Sequence, residues 1–79
     1  SGTSIGTNYR AACRAKSTPD MINKLKIVEE ESDETAYWLE ILVESDLIQR
    51  EQAAVMYKET NEILAMTVSS IKTLRNRKS

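Results

Sequence analysis

Histidine and phenylalanine are absent from this 79-residue chain, and cysteine, tryptophan and proline occur once each. Without histidine the chain lacks the commonest ligand of zinc and other transition metals, and the usual base for activating a serine or cysteine nucleophile. Glu30, Asp33, Glu34 and Glu40 recur at helical spacing. A di-iron bundle site needs Glu-x-x-His pairs, so these carboxylates read as a solvated acidic face. No catalytic, metal or cofactor site is expected. The single Cys13 excludes an internal disulfide, and its spacing from Tyr9 predicts a small, buried, apolar side chain. Two glycines and one proline leave little to interrupt helices. No apolar run approaches the roughly 18 residues of a membrane span. The opening Ser1-Gly2-Thr3-Ser4 has neither the charge nor the apolar stretch of a secretory signal. With one free thiol, that makes the cytoplasm the expected compartment. Methionine does not begin the chain, so it reads as processed or as part of a longer one.

What remains is a helix-forming sequence, 29% charged, in which Ala, Leu, Ile, Glu and Lys predominate. A single domain over 1–79 is expected, and a chain this short buries only about 60% of the surface that it exposes when unfolded. With disulfide and metal excluded, association with other chains is the remaining source of stability. The fold class is all-α, an antiparallel up-and-down bundle with helices over about 3–16, 18–45 and 49–75. Thr3 or Ser4 could cap the first, which turns one face made of Ile5, Tyr9, Ala12 and Cys13; Gly6 inside it suggests that another backbone comes close. Ser17-Thr18-Pro19-Asp20 is the clearest helix start, with a hydroxyl cap, a proline in the first turn and an acid three residues after the cap.

Leu25, Val28, Ser32, Thr35, Leu39 and Leu42 then recur every three or four residues, as do Ala53, Met56, Thr60, Ile63, Thr67 and Leu74, with Leu64, Val68 and Ile71 widening the second stripe. The mid-stripe hydroxyls fit small-residue packing or bonds back to the preceding turn. Ser45-Asp46-Leu47-Ile48 makes the short connection of an αα-hairpin. The expected core is Ile5, Tyr9, Leu25, Val28, Leu39, Leu42, Ile63 and Leu74. Apolar rows wider than one neighbour requires leave a groove along the hairpin, which the short first segment cannot cover. Adjacent Tyr37 and Trp38 point about 100° apart on a helix, so one can face the bundle while the other anchors a partner. Tyr37, Trp38, Ile41, Val68 and Ile71 are the candidate residues of an oligomer interface.

Charge is segregated, with net +4 over residues 1–27, −9 over 28–62 and +4 over 63–79. Folding the hairpin gathers Arg14, Lys24, Lys26, Lys72, Arg75 and Arg77 at one tip, and these six are the candidate nucleic-acid contacts. Against that reading stands a pI near 5.4, where nucleic-acid binders usually exceed about 9. The bland alternative is that the last cations complement the carboxyl end of the final helix.

Three blocks in order, Ser1 to Arg10 (SGTSIGTNYR), Asp33 to Glu40 (DETAYWLE) and Glu44 to Ile48 (ESDLI), resemble the four-helix-bundle family named for proteins encoded in 23S ribosomal RNA intervening sequences. The resemblance covers nearly the whole chain. It implies an up-and-down four-helix bundle, ring-like homo-oligomers that are often pentamers, and no established enzymatic activity. A related branch holds the accessory protein of diversity-generating retroelements, a basic pentamer that binds nucleic acid and a reverse transcriptase. The first block normally opens the family's second helix, so this chain resembles helices two to four. Ala11 stands where many members carry glutamate, and Asp46 where the turn commonly has glycine. A polar contact at 11 and a left-handed turn at 46 are therefore not carried over. The expectation is a non-enzymatic, self-associating structural or adaptor module that forms homo-oligomers, with a nucleic-acid-binding accessory protein as the alternative.

Overall fold

The computed structural model describes the backbone of residues 2–77 and the side chains of residues 5–77. Three helices are present among them: α1 (Gly2–Cys13), α2 (Thr18–Glu44) and α3 (Arg50–Asn76). None is long and apolar enough to cross a membrane. The molecule measures 50 × 18 × 15 Å. α2 and α3, at 27 residues each, form an antiparallel hairpin of about 40 Å, and the 12 residues of α1 span about 18 Å. α1 therefore lies along only half of the hairpin.

Local chemistry explains the boundaries. Ser17 has extended backbone, φ −138° and ψ 157°, and its Oγ accepts from the Asp20 amide at 3.3 Å, with Pro19 in the first turn. That extended cap forces α1 to stop before the expected Lys16, and its end tightens into i→i−3 bonds from Arg14 to Ala11 and from Ala15 to Ala12. α1 already includes Thr3 and Ser4, so neither is its cap. α2 ends in a Schellman motif, with the Leu47 amide on the Leu42 carbonyl and the Asp46 amide on the Val43 carbonyl, both at 3.0 Å. Asp46 takes φ 58° to make it. The left-handed turn thus persists without glycine, because a short polar side chain tolerates that region better than a branched one. α3 opens at Gln49, whose amide donates to Gln52 Oε1 at 3.4 Å.

The core runs between the stripes. Ile5, Leu25, Val28 and Leu39 are buried as expected, whereas Tyr9, Leu42, Ile63 and Leu74 are half-buried. Ala12, Ala53 and Ile71 complete the buried apolar set. All three helices meet at Ala12, Leu25 and Ile71, surrounded by Tyr9, Met21 and Leu74. Ser32, Thr60 and Thr67 are also buried, each donating to the carbonyl four residues back: Val28 at 2.8 Å, Met56 at 2.8 Å and Ile63 at 2.7 Å. A buried hydroxyl costs little when its proton is satisfied within its own helix, and its small size brings the axes together.

Two further expectations fail in α1. Cys13 is exposed, because Ala12 takes the core position and the next residue is rotated about 100° away. Gly6 is not pressed by another backbone, since a Cβ built there meets nothing within 4 Å. Gly6→Ala should accordingly stabilise the fold by about 1 kcal/mol, through helix propensity alone. Urea unfolding followed by circular dichroism reads this directly, and a loss of stability would show that Gly6 is needed for a contact.

Candidate functional site

The hairpin has two long flanks, and α1 occupies part of one. Asn8 Nδ2 donates to Glu31 Oε1 at 2.7 Å, and Tyr9 Oη shares a 3.4 Å hydrogen bond with Ser70 Oγ, which fixes the α1 flank. Trp38 follows Glu31 by seven residues and Met56 precedes Ser70 by fourteen, so both continue that flank beyond the start of α1. There Thr35, Trp38, Leu39, Leu42 and Met56 line a trough of about 260 Å³. A shallower hollow beside Glu59, Ile63 and Met66 extends it along α3. This is the groove expected from the width of the apolar rows.

The opposite flank carries no helix among the described residues. Toward the α2–α3 turn, Val43, Ala54 and Tyr57 border a small hollow over Leu39 and Ala53. Toward the other end, Lys26 and Glu29 of α2 and Val68, Ile71, Lys72, Arg75 and Asn76 of α3 line a second trough of about 260 Å³. Its floor is apolar and its rim bears three cations against one carboxylate.

The candidate interface residues therefore do not form one patch. Tyr37, 60% exposed, and Trp38, 57% exposed, both turn away from the core, and their rings meet edge to face with centroids 5.8 Å apart at 69°. Neither faces the bundle, although the sequence allowed one of them to. Ile41 is half-buried beside them. Val68, 45% exposed, lies on the opposite flank. Ile71 is only 6% exposed and belongs to the core junction, while it also lines the trough on the open flank. It packs inward because Ala12 is too small to close that junction by itself.

The six basic candidates also divide. Lys26, Lys72 and Arg75 share the trough on the open flank. Lys24 lies on the α1 flank, where it pairs with Asp20 at 3.3 Å and borders a hollow with Asn8, Ala11 and Ile27. That pair is about half exposed and contributes at most a few tenths of a kcal/mol. Arg14 and Arg77 are exposed where α1 and α3 end. Sequence reasoning overlooked Glu29 and Asn76 in the trough. Their signal was their spacing, since Glu29 follows Lys26 by three residues and Asn76 follows Lys72 by four.

No curated protein matches the chain significantly. A solved structure from Bacteroides thetaiotaomicron, described as a protein of unknown function from the S23 ribosomal protein family, superposes with a TM-score of 0.80 at 46% identity. The match covers 89% of this chain and 65% of that one, so the chain spans about two thirds of its solved relative. The family model described as 23S rRNA-intervening sequence protein matches residues 1–69. With its three-helix, all-α architecture, the chain belongs to the 23S rRNA-intervening sequence protein family.

Proposed function

We propose that this protein is a non-enzymatic, self-associating helical module of the cytoplasm, with a structural or adaptor role. One observation carries the reading: large apolar side chains stand exposed around a slender hairpin, Trp38 and Met56 on one flank, Tyr57 and Val68 on the other, and Tyr37 on the outer face of α2. Leaving a contiguous apolar surface in water is unfavourable, and a second protein surface is its usual cover. Two unlike flanks favour head-to-tail contacts, which make rings where the rotation between neighbours closes. A pentamer is the ring that the family resemblance suggests. Light scattering behind size exclusion should find a species larger than the monomer at micromolar concentration. A well-folded monomer would overturn the reading.

A second reading, nucleic-acid binding, has one observation in its favour, the convergence of Lys26, Lys72 and Arg75 on a single trough. Against it stand the acidic middle of the chain and a pI near 5.4. Repeating the mass measurement with short RNA and DNA at about 50 mM salt, where screening is weak, separates the two readings. Binding that falls steeply with salt and is indifferent to base sequence would support the second.

A further inference from the structure

We infer that the basic trough on the open flank is the receptor for the outer stripe of α2 of a second copy. The inference rests on the self-association reading and names the two surfaces that meet. Ile27, Glu30, Glu34, Tyr37 and Ile41 follow one another every three or four residues, with Trp38 alongside; all are exposed except Ile41, which is half-buried. From 27 to 49 the chain carries eight acids and no base. The stripe is therefore apolar and aromatic at its centre and carboxylate-rich around it. The trough is its counterpart, with Val68 and Ile71 at the floor and Lys26, Lys72 and Arg75 at the rim, where Glu29 is the one acid.

Shape and chemistry agree. An apolar cavity of about 150 Å³ accepts benzene, so a trough of about 260 Å³ has room for one aromatic ring. Tyr37 is 60% exposed on its own copy, and the edge contact with Trp38 steadies its ring. A phenol seated over Val68 would bring Lys72 and Arg75 against its face and place Glu30 and Glu34 near the same cations, joining cation–π and ion-pair attraction. Stripe and trough are different surfaces, so each copy offers one and receives the other. The same arrangement accounts for a cationic cluster on an acidic protein without invoking nucleic acid.

Charge reversal in the whole chain tests this. One variant carries K26E, K72E and R75E, the other E30K and E34K; all five side chains are at the surface, and circular dichroism should show both variants as helical as the wild type. Each should associate more weakly by about tenfold per reversed pair, because like charges then face each other. Mixed in equal amounts, the two should regain association, since each supplies the complement that the other lost. If the wild type is an oligomer and the reversed variants match it, or mixing restores nothing, the stripe-to-trough contact is overturned while self-association stands. If the wild type is a monomer, self-association itself fails and the inference with it. Short RNA that binds the wild type and is lost with K72E and R75E would assign the trough to nucleic acid instead.

Discussion

Leu25→Ala should lower stability by about 2–5 kcal/mol, a large share of the roughly 4–12 kcal/mol that a domain of 79 residues has in total. Leu25 is 1% exposed and sits where α1, α2 and α3 meet, against Ala12 and Ile71. The cost of such a truncation depends on how far the surroundings can relax into the space. Here Ala12 offers almost nothing to move, and Ser17 as the cap of α2 holds the connection that would have to shift. The cavity should stay open. Leu42→Ala is the control: Leu42 is half-buried on the rim of a trough that already meets water, so its loss should cost about 1 kcal/mol. Urea unfolding of both variants decides the matter. Equal losses at the two positions would mean that the three-helix junction does not hold the fold.

That contrast also marks where the sequence was legible. The cap at Ser17 could be read from four residues because it needs only local chemistry. The stripes could be read from spacing because an apolar face needs only its own helix. Which residue of a stripe becomes core was not legible in the same way. Ile71 and Val68 both widen the α3 stripe, yet one is buried and the other exposed, since burial depends on how α1 lies over the hairpin. Cys13 and Ala12 differ by one step of the helix, and the short α1 turned the smaller residue inward. The basic tip was visible as a run of charges, but its division into a trough of Lys26, Lys72 and Arg75, with Lys24 on the other flank, follows from the two residues between them, which turn Lys24 and Lys26 about 200° apart around α2. The left-handed Asp46 shows the reverse case, in which the geometry of the turn outweighed the preference for glycine.

The largest gain in stability should come from prolonging α1 in the direction of its own N-terminus. α1 runs antiparallel to α2, so helical residues joined ahead of Ser1 would pass over the α1 flank toward the α2–α3 turn. The uncovered length is about 22 Å, the difference between a hairpin of about 40 Å and a helix of about 18 Å, and about fifteen residues would span it. They would meet the trough of Thr35, Trp38, Leu39, Leu42 and Met56. A leucine or isoleucine fully buried there is worth about 1.5–3 kcal/mol, so an amphipathic segment presenting two of them should add about 3 kcal/mol or more. The urea m-value should rise as well, because it scales with the surface exposed on unfolding. Trp38 supplies an independent readout, as the chain's single tryptophan. At present 57% exposed, it should become less accessible to acrylamide quenching once a helix packs beside it. An unchanged m-value together with unchanged quenching would mean that the added residues do not dock, and that α2 and α3 already close this end of the hairpin between themselves.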